Sequence, residues 1–155
     1  ADVLWIHERT GVRLVFDYQH CWCFNPEGMA VREALERMLA TWSGGVRPKI
    51  HFSSPRTEMR ETVRKSRKTG KKETILVPPL ATQHGDYVNP FEFCTFMRAH
   101  PDLEFDVMLE SKAKDLSLLR LRRDLLRFAP DVAARFAAVE AVGPEEVEVN
   151  AGALE

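Results

Sequence analysis

Lys49-Ile50-His51-Phe52 alternates polar and apolar side chains, and Ser53 follows directly. Successive side chains of a β-strand point to opposite faces, so Ile50 and Phe52 would enter a core while Lys49 and His51 share the other face. The segment therefore predicts a strand that is buried on one face and carries ionisable groups on the other.

Two other apolar runs also end in potential metal ligands. One ends in Asp17, with His20 three residues later, and the other ends in Glu110. Polar side chains at the C-terminal ends of otherwise apolar strands are typical of a β/α-barrel active site. The three predicted strands cover residues 12–18, 48–53 and 104–110.

Helical patterns separate these strands. Residues 1–10 predict a helix closed by Gly11, and Asn25-Pro26-Glu27 predicts a helix start before an apolar face with a 3.6-residue period. Asn89-Pro90 and Asp115 predict the starts of two more helices. Strands that alternate with helices predict a parallel sheet with right-handed crossovers.

These units predict an α/β fold that is the C-terminal portion of a TIM barrel, about three βα units. A complete barrel has eight strands and about 250 residues. We expect the partial barrel to span residues 1–142 and an acidic peripheral tail to span residues 143–155. Ala153-Leu154-Glu155 resembles a cloning remnant and is left out of this prediction. As a free piece, the sheet would expose an unpaired edge through which the chain would self-associate.

The average composition is that of an ordinary globular protein, with 45% hydrophobic residues, 29% charged residues and a net charge of −1. The charge distribution is more informative. Residues 54–83, which contain Val77-Pro78-Pro79, predict a long loop with a dense basic run. Such a run is either a solvated loop or a track for phosphates. Between Arg56 and Lys72 the run has eight basic residues and two acidic ones. The basic residues are Arg56, Arg60, Arg64, Lys65, Arg67, Lys68, Lys71 and Lys72.

The three cysteines, Cys21, Cys23 and Cys94, lack the spacing of a disulfide framework. They favour a reducing compartment, and Cys21-Trp22-Cys23 is not a usual zinc pair. No apolar run approaches the roughly 20 residues of a membrane helix. We therefore expect a cytoplasmic protein without a membrane partner.

Five side chains are candidate ligands for divalent cations. His84, in the turn His84-Gly85-Asp86, joins the ligands at the strand ends. Taken singly, His20 is also explained as a hydrogen-bonded loop residue and His84 as part of an ordinary turn, and His51 alone is better explained as a core histidine. Five ligands exceed what one structural site needs, so the set predicts more than one metal. The set is Asp17, His20, His51, His84 and Glu110.

Lys49 is unusual because it would share a face with His51 near these ligands. An ammonium group beside cations is repelled, so Lys49 must be neutral, paired with a carboxylate or chemically modified. A lysine that is salt-bridged at the start of a strand is the simpler alternative.

Four segments of the chain resemble the UV damage endonucleases of the UvdE/UvsE type. The resemblance covers nearly all of residues 1–130 and only the C-terminal part of the family's sequence. The segments are Asp17-Tyr18-Gln19-His20, Lys49-Ile50-His51-Phe52-Ser53-Ser54-Pro55-Arg56, His84-Gly85-Asp86-Tyr87 and the run from Phe105 to Asp115.

The resemblance implies a TIM barrel related to endonuclease IV and the xylose isomerase-like barrels. It implies ATP-independent incision of DNA immediately 5′ of a UV photoproduct, with two or three divalent cations, usually Mn²⁺. Position by position, the five candidate ligands match family ligands, and Lys49 matches a lysine that can be carboxylated. Lys49 and Glu110 would be catalytic, and UV-damaged double-stranded DNA would be the partner.

Other family ligands lie upstream and have no counterpart in this chain, so we expect the isolated chain to be inactive. The basic run, with Arg56, would hold the DNA backbone. Two alternatives stay open, a sugar isomerase or epimerase on a similar barrel and a non-catalytic half-barrel assembly module. The basic run disfavours a small sugar substrate, which needs no phosphate track.

Overall fold

The computed structural model describes residues 2–136. The predicted acidic tail at residues 143–155, including Ala153-Leu154-Glu155, lies outside this range. Within it, the helices are α1 (Asp2–Thr10), α2 (Tyr18–Cys23), α3 (Val31–Leu39), α4 (Pro90–Ala99), α5 (Asp115–Phe128) and α6 (Pro130–Ala133). The strands are β1 (Phe16–Asp17), β2 (Lys49–Phe52), β3 (Pro55–Arg56), β4 (Arg60–Lys65), β5 (Lys72–Val77), β6 (Leu80–His84) and β7 (Asp106–Leu109).

Strands β1, β2 and β7 form a parallel sheet with β2 in the middle. The register aligns Asp17, His51 and Met108 across the three strands. Parallel strands linked through helices confirm the predicted α/β class. Because the sheet has three short strands within residues 2–136, closure into a barrel stays a prediction.

The core lies between one face of this sheet and the helices. Ile50 and Phe52 are fully buried, and the ring of Tyr18 stacks on Phe52 with 4.6 Å between centroids. Phe93 of α4 meets Phe52 edge-on at 5.0 Å, a favoured aromatic geometry. The opposite face of the sheet is open, since Met108 is 47% exposed. The predicted alternation of β2 is therefore confirmed.

The predicted strand at residues 12–18 is wrong in extent, because only Phe16–Asp17 joins the ladder. The backbone N–H of Leu14 donates to Thr41 Oγ1 at 2.9 Å, and the carbonyl of Leu14 accepts from Trp42 Nε1 at 2.7 Å. These side chains satisfy the backbone of Leu14 outside the sheet. Residues 18–23, which the sequence prediction divided between strand and loop, form helix α2.

Asn25-Pro26-Glu27 does not start a helix. Asn25 instead closes a turn, because its Oδ1 accepts from the N–H of Met29 at 3.0 Å and its Nδ2 donates to the carbonyl of Met29 at 2.8 Å. Helix α3 begins only at Val31. The side chain of Asn25 is thus engaged in this turn and does not cap α3.

The predicted irregular loop at residues 54–83 is largely β-structure. Strands β4 and β5 form an antiparallel hairpin, and β3 pairs with β6 beneath it. Pro78-Pro79 separates β5 from β6 instead of marking an unstructured excursion. Two-stranded pairing satisfies the backbone without a continuous apolar pattern.

Of the two helix starts predicted at Asn89 and Asp115, the first is a side-chain cap and the second is not. Asn89 caps α4 as predicted, and its Oδ1 accepts from the N–H of Phe91 at 3.0 Å. Asp115 is not the cap of α5, because Lys114 takes that position with φ 51° and no side-chain cap. A carboxylate within the first turn still stabilises the positive end of the helix. Along α5, Leu121 and Leu125 are buried, whereas Leu118 and Phe128 are exposed.

No helix within residues 2–136 has both the length and the apolar character that crossing a membrane requires.

Candidate metal centre

Asp17 and His20 are held side by side by the start of α2. Asp17 ends β1 and caps the helix, and its Oδ1 accepts from the backbone N–H of His20 at 2.8 Å. Its other oxygen, Oδ2, lies 3.2 Å from His20 Nδ1. The cap therefore holds the side chains of Asp17 and His20, the ligand pair predicted from the sequence, next to each other.

His51 connects Asp17 to Glu110. In the sheet, His51 lies directly opposite Asp17, and its Nδ1 is 3.8 Å from Asp17 Oδ2. The same nitrogen is 3.0 Å from Glu110 Oε1. Glu110 follows β7, and its N–H donates to the carbonyl of Phe52 at 3.0 Å, which extends the ladder by one residue. Neighbouring strand ends thus bring three candidate ligands together.

His84 reaches the same cluster from β6. Its Nε2 is 3.9 Å from Glu110 Oε2, and its ring centroid is 5.9 Å from that of His20. Gly85 brings the backbone close to the end of β2, since its N–H donates to the carbonyl of Ser54 at 2.8 Å. A Cβ at position 85 would lie 3.3 Å from the carbonyl oxygens of Ser54, Pro55 and Tyr87, so a glycine suits this approach.

All five candidate ligands therefore lie in one cluster at the C-terminal ends of the strands. One donor atom from each of Asp17, His51 and Glu110 falls within 4.8 Å of the others. The side chains of these three are 15%, 27% and 30% exposed, so the cluster is open to solvent. Carboxylate and imidazole donors bind Zn²⁺ or Mn²⁺ with bonds of about 2.0–2.2 Å. Small side-chain rotations would bring these atoms around one cation, and the role of the five groups as ligands stays a prediction.

Lys49 lies on the open face of the sheet. It is exposed, and the strand alternation places it on the same face as His51. Its partner in register, Asp106, pairs with Arg47 at 3.0 Å. The catalytic role of Lys49 is a prediction that this geometry permits.

Arg56 does not fit its predicted role as a DNA contact. It is 2% exposed, and its guanidinium donates to the carbonyls of Glu58 and Pro78, both at 2.8 Å. Its Nε also donates to Gln83 Oε1 at 3.2 Å. The reason is physical, because a buried guanidinium needs internal acceptors for its N–H groups.

The other predicted DNA contacts lie on the hairpin. Arg60, at its base, is half-buried and donates to Asp86 Oδ1 at 2.8 Å. This pairing makes Asp86 a partner of the hairpin. The remaining six are exposed at the far end, namely Arg64, Lys65, Arg67, Lys68, Lys71 and Lys72.

Gln19 is a site residue that the sequence reasoning missed. It is 3% exposed, and its Nε2 donates to the carbonyls of Ala81 at 2.7 Å and Gln83 at 3.2 Å. Its Oε1 accepts from Ser53 Oγ at 2.6 Å. Gln19 thus joins α2, β6 and the end of β2, which are three of the elements that carry candidate ligands. Only its position between Asp17 and His20 could have drawn attention to it.

A second polar network lies behind the cluster. Ser54 Oγ donates to Glu92 Oε2 at 2.5 Å and accepts from the N–H of Asn89 at 3.0 Å. Burial raises the pKa of Glu92, and the Ser54 hydroxyl opposes this rise. The network ties the segment after His51 to the start of α4.

The cysteines are free thiols and add no ligand to the cluster. Cys23 Sγ donates to the carbonyl of Ala81 at 3.4 Å, and burial raises the pKa of Cys94 in the core.

Comparison with known proteins gives one consistent family. Residues 1–141 match the family model described as UV-endonuclease UvdE. A UV DNA damage endonuclease of Bacillus velezensis is 32% identical over 127 residues, which cover 80% of this chain and 33% of that protein. The protein of the same description from Bacillus pumilus is 33% identical over 127 residues, with the same coverage.

The structural comparison agrees with the sequence comparison. The crystal structure of SacUVDE aligns with a TM-score of 0.56 and 28% identity, and covers 81% of this chain and 35% of that chain. The chain therefore spans about a third of the length of the relatives it matches. The candidate ligands and the hairpin lie within residues 1–141, which the family model matches.

Proposed function

The chain belongs to the UV-endonuclease UvdE family, and on this premise we propose that it forms part of a metal-dependent endonuclease that incises DNA 5′ of UV photoproducts. The observation that carries the proposal is the cluster of Asp17, His20, His51, His84 and Glu110 at one end of the sheet. The substrate would be UV-damaged double-stranded DNA, and the relatives' name, UV DNA damage endonuclease, supports UV-damaged DNA as the substrate.

The donor set suits divalent cations, by family resemblance two or three Mn²⁺ in the complete protein. Cations bound there would polarise a phosphodiester and lower the pKa of a coordinated water. Asp17 and Glu110 would supply the negative charge that holds them, and the three histidines would supply neutral nitrogen donors. The cap at His20 and the backbone approach at Gly85 would limit the motion of two of these donors.

Lys49 completes the proposed site. Its ammonium would be repelled by bound cations, whereas a carboxylated lysine would be an anion on the same face as His51. We propose this modified form, in line with the family resemblance. Glu110 would act beside it, since its two oxygens already face His51 and His84.

We expect the 155-residue chain alone to lack incision activity, because further family ligands lie in a region upstream. A chimera provides the direct test. In it, this chain replaces the matching third of the Bacillus velezensis relative, and nicking of UV-irradiated plasmid is measured with Mn²⁺. The chimera should nick irradiated plasmid above the unirradiated control, and the chain alone should not.

Glu110→Gln in the chimera should lower nicking more than about 100-fold, since even residues that only orient a ligand are worth about 10–100-fold. Glu104→Gln is the matched control, because it makes the same carboxylate-to-carboxamide change at an exposed residue next to β7. It should leave nicking unchanged. Equal activity of the two variants, or nicking that ignores irradiation, would remove the proposal.

A further inference from the structure

The hairpin formed by β4 and β5 projects from the body of the molecule. Its six register pairs run from Arg60 opposite Val77 to Lys65 opposite Lys72. At about 3.3 Å per residue, the hairpin is about 20 Å long. Two of its apolar side chains are largely exposed to solvent, Val63 at 63% and Leu76 at 58%. A two-stranded ribbon of this kind gains little stability from packing.

The far end of the hairpin concentrates positive charge. We call residues 64–72 the hairpin tip; they include six basic residues and no acidic one. Lys65 and Lys72 are directly opposite each other, an arrangement that is destabilising for like charges. The turn is nevertheless well defined, because the N–H of Ser66 donates to the carbonyl of Lys71 at 2.8 Å and Gly70 adopts φ +67°. A tip whose side chains repel one another is suited to an anionic partner.

The base of the hairpin is attached to the candidate metal centre. Arg60 pairs with Asp86, two residues beyond His84, and Arg56 holds the carbonyl of Pro78 at the end of β5. These two arginines are engaged in internal contacts, whereas the tip residues are exposed. The base thus orients the hairpin, and the tip is left to contact a partner.

We propose that the hairpin lies along intact duplex DNA beside the cut site and that its tip binds the phosphates about six base pairs from the hairpin base. In this orientation its length of about 20 Å spans about six base pairs, at a rise of about 3.4 Å per base pair. The major groove of B-DNA admits a two-stranded ribbon, whereas the deep, narrow major groove of an RNA duplex does not. The inference rests on the proposed function only for the choice of DNA as the polyanion.

Binding of the 155-residue chain to an undamaged 20-base-pair DNA duplex tests this inference without any incision. The variant Arg67→Gln, Lys68→Gln, Lys71→Gln removes three charges from the turn and no side-chain contact to the core. Each lost phosphate contact lowers the slope of log K against log salt by about 0.9, so the slope should fall by about 2–3. Affinity at low salt should fall at least about tenfold.

Two controls separate charge from fold. Arg37→Gln, Arg123→Gln, Arg127→Gln removes three exposed positive charges from α3 and α5 and should leave the salt slope unchanged. Lys68→Arg, Lys71→Arg keeps the charge of the tip and should bind like the parent chain. Circular dichroism of each variant verifies that the chain remains folded.

The inference is overturned if the tip variant binds with the affinity and slope of the parent. It is also overturned if the parent binds an RNA duplex or anionic vesicles more tightly than duplex DNA. Tip-dependent DNA binding together with a chimera that fails to nick would sustain this inference and remove the proposed function. The two can therefore fail separately.

Discussion

At the scale of single residues, Gln19 links three of the elements that carry candidate ligands. Its side chain makes three hydrogen bonds while 3% exposed, so loss of the side chain would leave the buried Ser53 hydroxyl and two carbonyls of β6 without these partners. These bonds join the segment of Asp17 and His20 to the strand that leads to His84. Gln19 is thus placed to position ligands without touching a cation.

Gln19→Leu should weaken Mn²⁺ binding about 10–100-fold, the range found for residues that orient a ligand. It should also cost about 1–3 kcal/mol of unfolding free energy, since the buried Ser53 hydroxyl loses its acceptor. Isothermal titration with Mn²⁺ and urea unfolding measure the two effects. His51→Ala, which removes a candidate ligand, sets the scale for a large loss of binding.

Arg135→Met is the matched control for Gln19→Leu. Arg135 also donates to two backbone carbonyls, of Met97 in α4 and of Leu103 between α4 and β7, and neither segment carries a candidate ligand. The Arg135→Met variant should destabilise the fold and leave the affinity for Mn²⁺ unchanged. If both variants weaken Mn²⁺ binding equally, Gln19 acts only through general stability.

At the scale of elements, the sequence predicts those that bury one face and misses those that do not. Alternation in Lys49–Phe52 reveals β2 because Ile50 and Phe52 are driven into the core. Arg60–Lys65 shows no alternation because both faces of the hairpin contact solvent, so burial leaves no periodic signal. Candidate ligands could be predicted from strand ends, whereas the contacts of Gln19 depend on a strand 62 residues away along the chain.

The contact between α4 and α6 predicts a pH dependence of stability. Arg98 donates to both oxygens of Asp131 at 2.8 Å, which lowers the pKa of Asp131 to about 2. A lowered pKa in the folded state stabilises the fold when the carboxylate is ionised, and this gain is lost as pH falls towards 2. Asp131→Asn should therefore lower the Tm slightly at pH 7 and make no difference near pH 2.

Thermal unfolding monitored by circular dichroism between pH 2 and pH 7 measures this effect. In an Arg98→Met background, Asp131→Asn should change the Tm little at any pH, because the ion pair is already absent. Both side chains are about half-exposed, so the effect at pH 7 is small. A Tm difference that grows at acid pH would contradict the assignment.

At the scale of the whole molecule, the outer edge of β7 is the feature that bears on self-association. Within residues 2–136, β7 has β2 as its ladder partner on one side, and the groove beside it is lined by Val107, Leu109 and Phe136. Leu118 and Leu126 of α5 are 54% and 51% exposed. Apolar surface next to an unpaired strand edge favours association.

We therefore expect the 155-residue chain to self-associate at micromolar concentrations, as sedimentation velocity over a dilution series would measure. Leu118→Lys should shift the equilibrium towards the monomer, because a charge beside the groove is costly to bury. Val63→Lys adds the same charge on the exposed hairpin and should not. A chain that stays monomeric at all concentrations would contradict the expectation.

The attachment of the hairpin at a single base has a consequence for the evolution of the family. Its two ends, Arg60 and Val77, are neighbours in register, so a hairpin of another length could begin and end at the same two positions. Lineages could thus inherit the same cation-binding chemistry while altering how far along a duplex each protein makes contact. Reach and catalysis would then be free to diverge under separate selection.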